Sequence, residues 1–190
     1  MLPPLSDKVG SSLQLLVPTK IAPLTVSARR NALLELKKVD EIQVRPADKG
    51  KKDWFMVEVF ADSATIPEDV ELQNETRLRR PTIRVERNLL QFVALRNKVY
   101  HIVQDAHNFE HCDFCAGFMD LVVFGANPDG FLVGLLGGKR LARTQAKFVE
   151  ELLALIVQHI DIDTRGFCSG KTSVPQLVHE FLFTQGSSTA

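Results

Sequence analysis

The sequence predicts an α+β fold, in which a three-stranded antiparallel sheet is followed by a helical subdomain. The run from Trp54 to Phe60 is short, β-branched and aromatic, as is typical of a buried strand. From Thr82 to Arg87 apolar and charged residues alternate strictly, which indicates a half-exposed strand. From Leu89 onward apolar residues recur at three- and four-residue steps, the period of a helix. Strands that precede a block of helices are characteristic of α+β proteins.

The first two strands are expected to form a β-hairpin. Alternation of apolar and polar residues begins towards the end of the stretch Leu33 to Val44. The turn-forming cluster from Pro46 to Gly50 follows and leads into the run at Trp54. In the third strand, the two-residue period places Arg84 and Asn88 on the same face.

Three helices and one short apolar element are expected after the strands. Their predicted positions are about 89–102 for the first helix, 118–123 for the apolar element, 141–160 for the second helix and 174–183 for the last helix. Ser173 is expected to be the N-cap of the last helix, with Pro175 in the first turn, where the missing N–H of proline is tolerated.

Length and charge limit the class of protein. A chain of 190 residues that is 45% hydrophobic can bury one core without disulfides or metal. We expect a leader at 1–20, one domain at 21–184 and a tail at 185–190. Because 23 basic residues balance 23 acidic ones, a nucleic-acid binder with a uniformly basic body is not expected. The sequence shows neither a signal peptide nor a membrane-spanning apolar run, so a cytoplasmic protein is expected.

Two cysteines have the spacing of half a zinc site. Cys112 and Cys115 are separated by two residues, so both thiolates can reach one tetrahedral ion from a tight turn. Completion requires His111 or His107 together with Cys168, and the predicted ligand set is Cys112, Cys115, His111 and Cys168. A redox pair and plain buried thiols are the alternatives. A metal at this position is expected to be structural, because no general base stands nearby in the sequence.

A basic cluster marks the start of the second predicted helix. Arg140, Arg143 and Lys147 lie at helical spacing on one face, and Lys139 stands just before them. The helix macrodipole disfavours cations in a first turn unless an anion compensates, so the cluster indicates an anion or phosphate site. A solvated helix face is the alternative.

An apolar segment precedes this basic cluster. The residues from Phe131 to Leu136 could form a wedge beside positive charge, a combination that favours shallow insertion into an anionic lipid surface. Burial of the same side chains in the core is the alternative. No phosphate-binding glycine loop or nucleophile elbow is present in the sequence, so an enzyme is not expected.

Several strings, taken in order, resemble the PX (phox homology) family. The string from Arg87 to Leu95 matches the family's strand-end motif at its first arginine, at Phe92 and at its final leucine. The string from Arg140 to Leu153 is similar to the family's helix that begins with basic residues, and Val178 to Leu182 is similar to its closing helix. The resemblance covers residues 21–184 and implies a three-stranded sheet, a helical subdomain and binding of phosphoinositides on endosomal membranes.

The resemblance also implies a set of site residues. Three cations occupy about the place of the basic residues that complete the family's lipid site, and the apolar segment occupies about the place of its membrane-inserting tip. Arg84 joins the set because it shares the Asn88 face of the third strand. The expected phosphoinositide ligands are Arg84, Lys139, Arg140 and Arg143, and the expected membrane-inserting residues are Phe131, Leu132 and Leu135.

Two function classes follow from these patterns. Asn88 and Leu89 stand where the family has the arginine that holds the 3-phosphate and the tyrosine that stacks on the inositol ring. The first expectation is a peripheral membrane module that recruits its protein to endosomal membranes through phosphoinositides. The second is a PX-like scaffold that has lost its lipid ligands, binds protein partners and contains a structural zinc site.

Overall fold

A computed structural model of the chain describes residues 23–47, 53–61, 80–107, 112–128, 137–159 and 168–185. The elements, in chain order, are α1 Pro23–Lys37, β1 Val39–Pro46, β2 Trp54–Ala61, β3 Ile83–Asn88, α2 Leu89–Asp105, α3 Asp113–Phe124, α4 Gly138–Gln158 and α5 Ser169–Phe183. The predicted α+β class with a three-stranded antiparallel sheet is confirmed. The expected leader at 1–20, the expected membrane-inserting residues Phe131, Leu132 and Leu135, and nearly all of the tail lie outside the described residues.

The sheet has β2 at its centre, between β1 and β3. Pairs such as Ile42 with Val59 and Val57 with Val85 lie on the inner face, where all four side chains are buried. The outer face carries charged side chains, as the alternation in β3 predicts, and Arg84 is among them. The apolar inner face packs into the same core as α2, α3, α4 and α5.

Helix α1 corrects the expectation that the strands come first. The residues from Leu33 to Lys37 are helical and belong to α1, whereas the sequence interpretation placed them in the run leading into the first strand. Ala32 and Leu36 are buried at helical spacing, and their neighbours have high helix propensity. Helix α1 packs mainly against α5, a long-range contact that local periodicity does not reveal.

Helix α2 starts directly at the end of β3, as predicted. Asn88 is its N-cap, and its side chain accepts from the N–H of Gln91 while the Gln91 side chain accepts from the N–H of Asn88, each at 2.9 Å. This reciprocal capping box fixes the point where strand becomes helix. Phe92 then contacts Phe55 and Phe181 edge to face, so the helix is held against both the sheet and α5.

The last two structural corrections concern helix starts. The apolar element at 118–123 is the second half of α3, which begins at Asp113. Helix α5 begins at Ser169 with Cys168 as its N-cap, so Ser173 is not the cap and Pro175 lies inside the helix beyond its first turn. The reason is local: the sulfur of Cys168 accepts from the N–H of Lys171 at 3.4 Å and takes the capping role that the sequence interpretation gave to a serine.

Arg87 connects the end of the sheet to the end of α5. Its side chain is buried and donates to the carbonyl oxygen of Phe181 through two nitrogens, at 2.7 and 3.0 Å. It also donates to the carbonyl of Thr184, and these acceptors belong to the last turn and C-cap of α5, whose carbonyls lack partners within the helix.

None of the helices in the described residues combines the length and apolar character that a membrane span requires.

Candidate metal centre

Three segments of the chain converge at one end of the helical subdomain. His107 follows α2, Cys112 and Cys115 lie at the start of α3, and Cys168 is the N-cap of α5. One ligand atom from each of these four residues lies within 4.8 Å of all the others. The predicted grouping of Cys112, Cys115 and Cys168 is therefore found in the structure, together with a histidine.

The histidine in the cluster is His107, which the sequence indicated as the alternative to His111. His111 itself lies outside the described residues. Both histidines precede the cysteine pair by only a few positions, so spacing does not distinguish them. Helix α2 ends at Asp105, and this end places His107 next to the starts of α3 and α5.

The sulfur atoms are close to one another and unoxidised. The Sγ of Cys168 lies 3.5 Å from the Sγ of Cys115 and 3.8 Å from the Sγ of Cys112, and all three cysteines are free. Cys115 is buried, whereas Cys112 and Cys168 are half-buried. The three cysteines thus form one cluster that includes both buried and half-buried residues.

Helix starts surround two of the sulfurs with N–H groups. Burial acts to raise the pKa of the Cys112 thiol, but the nearby backbone N–H of Cys115, the thiols of Cys168 and Cys115, and the backbone N–H of Phe114 lower that pKa below its ordinary value. At Cys168, the N–H of Lys171 points at the sulfur. Thiolates are the charge state that helix N-termini favour and that metal ions require.

The third sulfur is the one at which a negative charge is least favourable. Burial raises the pKa of the Cys115 thiol well above its usual range, and the adjacent sulfurs of Cys168 and Cys112 raise it further. Three thiolates within this distance repel one another, so they cannot all ionise unless a positive charge lies among them. A divalent cation among the sulfurs would supply that charge, and it would favour the thiolate form where neighbouring thiolates disfavour it.

Two further observations fit a metal ion. The Nε2 atom of His107 is buried and has no hydrogen-bond partner, although a buried ring nitrogen normally has one. Gly170 lies against the sulfurs: a Cβ there would be 2.7 Å from the Sγ of Cys115 and 3.5 Å from the Sγ of Cys168. Glycine at position 170 therefore lets the start of α5 lie closer to the sulfurs than a residue with a Cβ could.

Arg29 of α1 lies near the same site. Burial lowers the pKa of Arg29, and the adjacent sulfur of Cys168 opposes that shift. A Cys3His site holding a divalent ion carries one net negative charge, which a neighbouring guanidinium offsets. Neither Arg29 nor Gly170 was singled out from the sequence, because each is distant from the cysteine pair along the chain.

The residues expected to bind phosphoinositides fall into two places. Arg84 lies on the outer sheet face, where its Nε is 2.9 Å from a carboxylate oxygen of Glu58, and Arg45 contacts the other oxygen at 3.3 Å. Glu58 therefore partly neutralises Arg84 already. Lys139, Arg140 and Arg143 are exposed in the first two turns of α4, and the first turn contains no acidic side chain.

The residues at the end of β3 have structural roles. Asn88 caps α2, and Arg87 is buried against the carbonyls of α5. Alternation in β3 places the two side chains on opposite faces, as predicted.

No protein-family model, no curated protein and no solved structure matches the chain.

Proposed function

We propose that the chain is a zinc-stabilised α+β module, with one Zn²⁺ held by His107, Cys112, Cys115 and Cys168. The observation that carries this proposal is the convergence of four residues whose ligand atoms lie within 4.8 Å of one another. The buried Nε2 atom of His107 without a hydrogen-bond partner supports it. Three thiolates and one imidazole form a donor set typical of structural zinc.

The ion would act as a cross-link between helices. It would join two neighbouring points of the chain, the end of α2 and the start of α3, to the start of α5, which is distant from both in sequence. Four protein ligands complete a tetrahedral zinc site and leave no open position for water or substrate. The role we propose for the metal is therefore structural, and the chain's own contribution is to hold its thiolates at two helix starts.

Metal analysis and cobalt substitution test this proposal. We expect one zinc per purified chain by elemental analysis, and a cobalt-substituted form with the visible absorption of a tetrahedral thiolate complex. His107→Ala should weaken metal binding strongly, while His101→Ala, which removes an exposed histidine of α2, should not. If His111→Ala has the larger effect, the fourth ligand is the one predicted from sequence. A chain that binds no zinc or cobalt contradicts the proposal.

A second candidate function is recognition of a phosphoinositide-containing membrane, of the kind found on endosomes. The observation that favours it is the exposed start of α4, where Lys139, Arg140 and Arg143 project from a helix end that carries no compensating acid in its first turn. The three-stranded sheet with helices α2 to α5 after it also agrees with what the PX resemblance implies, whereas α1 before the sheet does not follow from it. Arg84 contributes less to this candidate, because it is already paired with Glu58.

Vesicle co-sedimentation tests the second candidate. We expect binding to phosphatidylcholine vesicles that contain a phosphoinositide, at physiological salt, and loss of that binding in Arg140→Ala plus Arg143→Ala. Lys37→Ala plus Lys98→Ala removes the same charge from exposed positions on α1 and α2 and should retain binding. Equal binding to charge-matched phosphatidylserine vesicles contradicts headgroup recognition. Absence of all binding favours the alternative of a scaffold for protein partners.

A further inference from the structure

The spacing of the sulfurs in the metal centre allows a second covalent state. We propose that the cluster is also an oxidation site, at which a peroxide joins Cys112 and Cys168 in a disulfide and displaces the zinc. The displacement rests on the proposed function, whereas formation of the disulfide depends only on the position of the sulfurs. The structure therefore assigns to the same residues a reduced state that binds metal and an oxidised state that does not.

The distance between the two sulfurs is the first argument. The Sγ atoms of Cys112 and Cys168 are 3.8 Å apart, so they must approach by roughly 1.8 Å to reach the length of a disulfide. Both residues are N-caps with extended backbones, at φ −141° and ψ 113° for Cys112 and φ −74° and ψ 156° for Cys168. Their backbones are therefore not helical, although the carbonyl of Cys112 accepts the first helical hydrogen bond of α3. Rotation of the Cys168 side chain would break one capping contact, from the N–H of Lys171, and no backbone hydrogen bond of α5.

Access of an oxidant selects this pair. Cys112 and Cys168 are half-buried, whereas Cys115 is only 6% exposed. Cys115 also lies inside α3, and the backbone of Gly170 is close to its sulfur. Although the sulfur of Cys115 is slightly nearer to that of Cys168, at 3.5 Å, a peroxide in solution reaches the other two sulfurs first.

The chemistry balances with hydrogen peroxide as the oxidant. One thiolate attacks a peroxide oxygen, the O–O bond breaks, and a sulfenic acid and a hydroxide ion form. The second thiolate attacks the sulfenic sulfur, the S–O bond breaks, and a second hydroxide leaves as the S–S bond forms. The two sulfurs lose two electrons in total and the peroxide gains them. The zinc site loses two of its four ligands, and Cys115 and His107 alone do not complete a tetrahedral site.

The test uses the full chain loaded with zinc and treated with hydrogen peroxide. We expect release of one zinc per chain to a chromogenic chelator and a decrease from three free thiols to one. Reduction with dithiothreitol and addition of zinc should restore both values. The metal content before treatment reports on the proposed function alone, and the same treatment of the metal-free chain reports on the disulfide alone, so the two can fail separately.

Peptide mapping identifies the bond without any substitution. Asp113 follows Cys112 directly, so a protease that cleaves before aspartate separates Cys112 from Cys115, and trypsin isolates Cys168 in residues 166–171. We expect the 166–171 peptide to be linked to the peptide that ends at Cys112. A link to the peptide that begins at Asp113 overturns the assignment, as does oxidation to sulfinic acid with no link. Three unchanged thiols overturn the proposal as a whole.

Matched variants provide a second test. Cys115→Ser retains the proposed pair, and Cys112→Ser removes one member while leaving the same number of thiols. In the metal-free state, Cys115→Ser should form the disulfide at a rate within a factor of about two of the unsubstituted chain, whereas Cys112→Ser should lose at least nine-tenths of the cross-linked product. Equal cross-linking in both variants contradicts the choice of Cys112.

Discussion

The metal centre and the basic start of α4 are both built at helix N-termini, yet they handle charge in opposite ways. At the metal centre, Cys112 and Cys168 cap α3 and α5, so two helix ends with partial positive charge face sulfurs that can become negative. At α4, cations project from a helix end that itself carries partial positive charge. At the metal centre, the helix ends and the sulfurs of the same molecule can have opposite charges. At α4, the helix end and the side chains have the same charge, so only an anion from outside complements them.

The two regions also differ in how they are assembled. The metal ligands come from three segments and are partly or fully buried, so the ion they would hold belongs to the folded core. The α4 cations are contiguous in sequence and exposed. Changes at the first region should therefore alter stability, whereas changes at the second should alter binding and leave stability nearly unchanged.

Metal removal should have the largest effect. When free zinc exceeds its Kd by 1,000-fold, binding stabilises the folded state by about 4 kcal/mol. For a chain of 190 residues this corresponds to a decrease in Tm of roughly 8–16 °C when a chelator removes the ion. Calorimetry with and without chelator measures this shift, and re-addition of zinc should reverse it. A Tm that is unaffected by chelation contradicts a structural metal.

Substitution of Arg87 should have the second largest effect. Arg87→Ala leaves the carbonyls at the end of α5 without their buried donor, and we expect a loss of about 3 kcal/mol in the free energy of unfolding. Arg84→Ala, three residues earlier in β3, removes an exposed arginine and should cost less than about 1 kcal/mol. Denaturant unfolding compares the two variants, and equal losses would show that burial does not distinguish these arginines.

The sequence predicted the sheet well because strand signals are local. Alternation in β3 and the aromatic run of β2 each identify a strand within a few residues, and the hairpin follows from the turn cluster between the first two strands. Helix α1 was missed because its burial depends on α5, which lies more than 100 residues away. A helix that is stabilised mainly by tertiary contacts gives a weak local signal.

The metal centre was only partly predictable for a related reason. The pair Cys112 and Cys115 has a recognisable spacing, but the contribution of Cys168 depends on where α5 begins. Sequence interpretation placed that start at Ser173, which would leave Cys168 in a loop. The place of His107 depends in turn on where α2 ends. In both cases the missing information is a helix boundary, the least certain quantity in sequence analysis.

Gly170 provides a test of intermediate size, because it probes the space around the sulfurs. In Gly170→Ala the new Cβ would lie 2.7 Å from the Sγ of Cys115, so the sulfur must move. We expect zinc affinity to decrease roughly 10- to 100-fold, as for other changes next to a ligand shell. Chelator competition measures the affinity of each form.

Gly117→Ala is the matched control for this substitution. Gly117 also lies in a helix, and a Cβ there makes an ordinary contact with Leu155 at 3.5 Å. Both substitutions add one methyl group to a helix, and only the one at Gly170 brings that group against a sulfur. An equal loss of zinc affinity in Gly117→Ala would show that any added side chain in α3 or α5 lowers the affinity, and not the contact with the sulfur.

The smallest expected effect concerns charge reversal at the start of α4. Lys139→Glu plus Arg140→Glu replaces cations that the helix end disfavours with acids that it favours, at roughly 0.3–1 kcal/mol per charge. We therefore expect a small gain in the free energy of unfolding at low salt, which disappears in high salt because both side chains are exposed. Lys98→Glu within α2 is the control, since no helix end is near it. A loss of stability on charge reversal would mean that the two cations make contacts within the fold, and the start of α4 would no longer be a surface that awaits an external anion.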